Sequence, residues 1–163
     1  MKKAIKRALL IIKRSELSSL TKGRSKGDAR MRKLIEDEHG SVARIQPAHE
    51  EHMASVSLVR AELLKRKIAV TERDTAPQRI VRGFDLLVSV GGDGTLLEAS
   101  HAVLDDTVVL GVNSAPAFSV GFLTGCRAPT FASTLEGLTA GTLKPQEVQR
   151  LQVKIGRRVI PEP

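Results

Sequence analysis

An apolar run, Phe84-Asp-Leu-Leu-Val-Ser-Val90, leads without a break into Gly91-Gly-Asp-Gly94, and Thr95-Leu-Leu-Glu98 follows. This stretch limits the fold more than any other. A valine- and leucine-rich run of this length reads as a strand covered on both faces, and three glycines around one acid stop it abruptly. Thr95 with Glu98 three residues later has the form of a capping box, which predicts a helix over Leu96–Leu104 with Thr95 as its cap. Buried strand, glycine turn and helix start together make the first half of a βαβ unit. Ligands in open α/β sheets sit outside the carboxyl ends of the strands, so a site is expected at this turn.

The rest of the chain repeats the alternation. Ala8–Lys13 is a compact apolar run suited to a buried strand. Residues 15–40 turn polar and basic, with Gly23 and Gly27 expected to break any long helix and a helix predicted over Ala29–Glu38. Pro47 opens a stronger helix near residues 49–66, where Met53, Val56, Val59, Leu63 and Leu64 recur at amphipathic spacing. Strands are predicted at Ile68–Thr71 and Thr107–Gly111, a loop over Asn113–Gly125, and a helix over Thr130–Thr139 that ends near Gly141. The expected fold is α/β, a mostly parallel sheet with helices on both faces. Val148–Ile155 alternates instead, as an antiparallel strand with one wet face does. Residues 1–147 are therefore expected to form the α/β domain and 148–163 the first strand of a β-rich second domain, since 163 residues are too few for two full domains.

Composition narrows the partners. Trp and Tyr are absent and Phe occurs four times, so the core must be aliphatic and platforms for stacking nucleic-acid bases are scarce. A single cysteine, Cys126, excludes an internal disulfide framework and a cysteine-rich zinc site, fits a reducing compartment, and reads as a small buried hydrophobe. Only five apolar residues follow the basic start before Lys13, too few for a secretory signal, and no run approaches the roughly 20 residues that cross a bilayer. A cytoplasmic protein without a membrane partner is expected. The net charge of +8 is uneven: residues 1–82 hold 20 basic and 10 acidic side chains, whereas 83–143 hold one basic and six acidic. A basic surface attracts phosphates of any kind, although a lysine-rich solvated surface is the plainer reading. With an acidic 83–143 and no recognised nucleic-acid motif, no nucleic-acid partner is expected. His49 and His52, one turn apart near a helix start, read as solvated surface.

Glycines let a backbone turn with positive φ and let a ligand approach without a Cβ in the way, and successive amides at a helix start cradle phosphate. Gly91–Thr95 is neither a Walker P-loop nor a dinucleotide fingerprint. Asp93 is the odd member, because a carboxylate repels phosphate. It makes sense as a base that takes a hydroxyl proton in phosphoryl transfer, or as a ligand to magnesium; alternatively it caps its own turn.

Gly91-Gly-Asp-Gly-Thr95 resembles the signature of the NAD kinases, shared in variant form by 6-phosphofructokinases, diacylglycerol kinases and sphingosine kinases. Gly111-Val-Asn-Ser114 followed by Gly121-Phe-Leu-Thr124 is similar to the second NAD kinase block. The spacing segment Ser114-Ala-Pro-Ala-Phe-Ser-Val120 looks like that of mitochondrial-type NAD kinases and plant NADH kinases. The resemblance implies transfer of phosphate from ATP, with magnesium, to the 2′-hydroxyl of the adenosine ribose of NAD(H), giving NADP(H). It further implies Asp93 as proton acceptor and Gly91, Gly92, Gly94 and Thr95 along the dinucleotide and donor phosphates. Asn113 and Phe122 would line the nucleotide pocket with Leu97 beside them, in a homo-oligomer. The competing readings are Thr95 as helix cap, Phe122 as core, and Asn113 bonded to its own loop. Because the family's NAD-holding β-rich domain is expected beyond residue 148, the chain reads as a fragment or a truncated relative. A non-catalytic nucleotide-binding domain and a lipid or sugar kinase are the alternatives.

Overall fold

The computed structural model describes residues 4–22, 26–37, 39–77, 79–149 and 153–159. At its centre lies strand β1, Arg7–Ile12, in which Ala8 to Ile11 are no more than 1% exposed. Successive strand side chains point to opposite faces. Ala8 and Leu10 therefore join Leu86, Val88 and Val90 of β3 (Leu86–Gly91) in one core layer, while Leu9 and Ile11 join Leu87 in the other. Burial on both faces is why these strands are apolar without alternation.

Strands β2 (Ala69–Arg73), β4 (Val108–Asn113) and β5 (Cys126–Arg127) complete a parallel sheet of order β2-β1-β3-β4-β5. The chain leaves β1 to build β2 on one side and then crosses back to build β3 on the other, so the gap between β1 and β3 is the topological switch point. Ile12 pairs beside Val90 and Gly91 beside Asn113, which brings three strands to an end at the same level.

Helix α3 (Ile45–Lys65) buries His52, Val56, Val59 and Leu63 on one face of the sheet, together with Phe131 and Leu135 of α5 (Phe131–Ala140). Helix α4 (Asp93–Ser100) covers the opposite face through Ala99, followed by Val103. Helices lie on both faces, as the alternation of elements predicts. Full burial of each such aliphatic side chain contributes about 1.5–3 kcal/mol, and the two aliphatic layers hold the sheet between them.

Several boundaries differ from expectation. An unpredicted helix α1 (Glu16–Lys22) is capped by the Ser15 hydroxyl, which accepts the Ser18 amide at 3.1 Å. Helix α2 (Lys26–Glu36) contains Gly27, and Gly23 and Glu38 lie outside the described residues. Pro47 is the third residue of α3, where its missing N–H costs nothing. At the other end of α3, Ile68 N–H bonds Leu63 carbonyl and Lys67 N–H bonds Leu64 carbonyl, the double closure of a Schellman turn, with Lys67 at φ 57°. Among the described residues of the predicted strand Val148–Ile155, Lys154–Ile155 forms β6, paired antiparallel with β7 (Arg158–Val159). Val148 stands 77% exposed outside any strand, and residues 150–152 lie outside the described ones.

Candidate functional site

Strand β3 ends in Gly91, fully within the sheet, and Gly92 (φ −110°, ψ −167°) turns the extended chain into α4. The helix starts at Asp93, three residues before its predicted start at Leu96. The capping box of Thr95 and Glu98 does not form: Gly92 is the cap, no side chain bonds the helix end, and Thr95 N–H already bonds Gly92 carbonyl at 3.1 Å. Gly92 makes the early start easy, having no side chain to place, and Thr95 is thereby drawn into the first turn. The same helix stops at Ser100, short of Leu104.

None of Gly91, Gly92 and Gly94 has positive φ, contrary to expectation. Close approach is what Gly91 requires. A Cβ there would lie 2.8 Å from Thr95 Cβ and 3.0 Å from Lys13 Cβ. One at Gly92 would meet Ser119 Oγ at 3.3 Å, whereas none would touch anything within 4 Å of Gly94. Gly94 thus leaves open space at the exposed start of α4, where the amide dipoles favour an anion.

Among the described residues, Asp93 bonds neither its own turn nor a cationic side chain. Its Oδ2 accepts Phe122 N–H and its Oδ1 accepts Leu123 N–H, both at 2.8 Å. Those amides belong to a loop that Asn113, 2% exposed at the end of β4, holds from the other side. Its Nδ2 donates to Ser119 carbonyl at 2.9 Å, and its Oδ1 accepts Ala115 N–H at 3.3 Å. Asn113 therefore does bond its own loop. Gly121, at φ +64° against the Asn113 amide, leaves no room for a side chain. Phe122 is 86% exposed and so is not core; with Val120 (86%), Leu123 (48%) and Leu97 (50%) it is an uncovered apolar side chain.

A cleft of about 190 Å³ opens at the switch point. Lys13 and Arg14, directly after β1, line it with Asp74 and Thr75, directly after β2, and with Thr95 and Glu98 of α4. Arg14 donates through Nε and Nη2 to Asp74 Oδ2 at 2.9 and 2.7 Å. Of the residues predicted for the site, Thr95 alone lines this cleft. Asp93 and Phe122 are joined by a hydrogen bond, and Gly91 packs on Thr95; Leu97 sits half-exposed on the second turn of α4, away from the cleft lining. Sequence reasoning missed Lys13, Arg14 and Glu98. The signal was present, because two basic residues follow the first apolar strand at the end where ligands bind.

It also misjudged His52, which is 4% exposed and bonded through Nδ1 to Ser114 Oγ at 2.8 Å. Burial pushes its pKa below the ordinary 6.5; a hydrogen bond with the Lys13 backbone opposes that shift, and the charges of Lys13 and His49 add to it. His49 Nδ1 bonds Ser15 Oγ at 2.7 Å. Cys126 is half-buried, and burial pushes its thiol pKa up, away from nucleophilic character. Among the described residues no group of three or more His, Cys, Asp or Glu could hold a metal ion, and no helix is long and apolar enough to cross a membrane.

A parallel sheet with a cleft lined by Lys13, Arg14, Asp74 and Glu98 beside a glycine turn defines a doubly wound α/β domain with a candidate site at its strand ends. The chain belongs to the ATP-NAD kinase family, since the family model of the ATP-NAD kinase N-terminal domain matches residues 14–143. A probable NADH kinase of Oryza sativa subsp. japonica is 31% identical over 128 residues, 68% of this chain and 39% of that protein. An NADH kinase of Arabidopsis thaliana is 33% identical over 95 residues, 49% of this chain and 30% of that protein. The chain thus spans well under half the length of these relatives. Among solved structures, an NAD kinase from Archaeoglobus fulgidus in complex with ATP aligns with 83% of this chain and 38% of its own, at 18% identity and a TM-score of 0.47.

Proposed function

We propose that the protein transfers the terminal phosphate of ATP to the 2′-hydroxyl of the adenosine ribose of NAD(H), giving NADP(H). The observation that carries this reading is the cleft itself: Lys13 and Arg14 line it together with Thr95, which follows Asp93 by two residues in the first turn of α4. Lys13 and Arg14 would neutralise the donor phosphates, and the open flank of Gly94 with the first amides of α4 would cradle them. Asp93 would take the proton as the ribose oxygen bonds to phosphorus and the bond to ADP breaks. Each of its carboxylate oxygens accepts one backbone N–H and retains a second acceptor site for that hydroxyl. Asn113, through its loop, would hold exposed Phe122 and Leu123 against the nucleotide, with Leu97 nearby.

Magnesium fits as an ion carried on the triphosphate, because no preformed cluster exists among the described residues while Glu98 supplies a carboxylate to the same cleft. It would offset charge on the transferring phosphoryl group. Residues 148–163 are read as the opening of the β-rich second domain, and the assembly as a cytoplasmic homo-oligomer.

NADP(H) formation from ATP, magnesium and NAD or NADH tests the proposal, with Asp93→Asn as control. Product that vanishes in the variant supports it. Both oxygens of Asp93 already hold loop amides, which favours one second reading, a nucleotide-binding domain that does not turn over by itself. ATP uptake without product would select that reading.

A further inference from the structure

We propose that His52 is a positioning residue, holding Ser114 at the carboxyl end of β4 so that the glycine turn at the end of β3 keeps its geometry. His52 continues the buried stripe Val56, Val59 and Leu63 of α3, at spacings of four, three and four, where an aliphatic residue would fill the space. A histidine in that slot costs desolvation unless its polar atoms are partnered.

Nδ1 is partnered beside the site: it bonds Ser114 Oγ at 2.8 Å, one residue past the end of β4. In a neutral ring with its proton on Nε2, Nδ1 accepts the Ser114 hydroxyl proton. Ser114 is held further by Ser55, whose hydroxyl donates to Ser114 carbonyl at 2.9 Å.

These tethers converge on Gly91. Ser114 N–H bonds Gly91 carbonyl at 3.0 Å and Lys13 N–H bonds Val90 carbonyl at 2.9 Å. Lys13 Cβ lies 3.0 Å from where a Gly91 Cβ would be. The imidazole therefore fixes Ser114, which in turn holds Gly91 against Lys13 and Thr95 of the cleft. It does not line the cleft itself and acts through Ser114.

The inference rests on the nucleotide-binding reading above. Its test is titration of the full-length protein with magnesium ATP, alongside urea unfolding, for His52→Leu, His52→Asn and Ser114→Ala. Leucine keeps the apolar volume and removes the bond to Ser114, whereas asparagine places an amide where Nδ1 stands. ATP affinity should fall about tenfold in His52→Leu with little loss of stability, because a small misplacement of charged groups weakens binding strongly. It should stay within about threefold in His52→Asn, and adding Ser114→Ala to His52→Leu should cost nothing further. Unchanged affinity in His52→Leu, or equal losses in the leucine and asparagine variants, would overturn the inference. If His52→Leu does not fold, Ser114→Ala decides alone, and unchanged affinity there overturns it. Should the unaltered protein take up no ATP, the nucleotide reading falls and this inference with it.

Discussion

The carboxylate of Asp93 accepts the backbone N–H of Phe122 at 2.8 Å, a contact between residues 29 positions apart. With the matching bond to Leu123 N–H, it makes the acid of the glycine turn the anchor of the loop that presents Phe122 to solvent. Asp93 thus has a structural task whatever its chemical one, and substitutions there act on both.

Replacing Asp93 with Asn leaves one oxygen for two N–H donors and sets an amide group against the other. The variant is expected to lose about 1–3 kcal/mol of stability, because a charge-assisted pair is broken and a donor is left facing a donor. Turnover should fall by at least about a hundredfold if the proton acceptor is lost as well. Urea unfolding and NADP(H) formation measure the two effects separately; an undiminished rate would remove Asp93 from the proton transfer.

Gly91 and Gly94 should respond oppositely to alanine. At Gly91 the new methyl collides with Thr95 and Lys13 Cβ atoms, a cost of about 1–3 kcal/mol. At Gly94 nothing stands within 4 Å, so alanine in the helix should be neutral or stabilising by up to about 1 kcal/mol. ATP affinity should nevertheless drop in Gly94→Ala, since the methyl occupies the flank proposed for phosphate. Equal affinity in Gly94→Ala and the unaltered protein would move the phosphate elsewhere.

His52 carries a pH dependence of known sign. Its pKa is lowered on folding, so the unfolded chain binds the proton more readily. The stability contributed by the neutral ring is complete above the ordinary value of 6.5 and is lost as pH falls below it. Lys13 and His49 lie close enough to oppose a charge on the ring. Thermal midpoints recorded between about pH 7.5 and 5 should decline, and the decline should be shallower in His52→Asn. Parallel curves for the two proteins would contradict this assignment.

Lys67 closes α3 with φ at 57°, a conformation that costs a β-carbon-bearing residue about 1–2 kcal/mol. Glycine relieves that strain but loses more entropy on folding, so Lys67→Gly should stabilise by roughly 0.5–1 kcal/mol. A lower unfolding midpoint in the variant would show that the lysine side chain itself contributes.

The parts of this molecule that local pattern specifies were legible in the chain. Continuous apolar runs at Ala8–Ile11 and Leu86–Val90 announced strands covered on both faces, and the stripe of Val56, Val59 and Leu63 announced a helix lying on them. The glycine turn located one wall of the site, because strand ends are where α/β sheets bind ligands. Helix caps were less readable. Thr95 and Glu98 had a cap's spacing, yet Gly92 took the position, since a glycine needs no room and the sheet needs Gly91 against Thr95.

Sequence by itself determined the class of fold, the order of its elements and the acid within the glycine turn, since these follow from periodicity and short-range chemistry. Only the tertiary structure decided which partners that chemistry meets. Parallel strands joined by long crossovers bring Lys13 and Arg14 beside Thr95, and set His52 against Ser114. Such pairings lie about 60 to 80 residues apart along the chain, beyond any local period. The same crossovers determine whether a histidine near a helix start is wet or buried, because burial belongs to the face that packs on the sheet and not to the residue that occupies it.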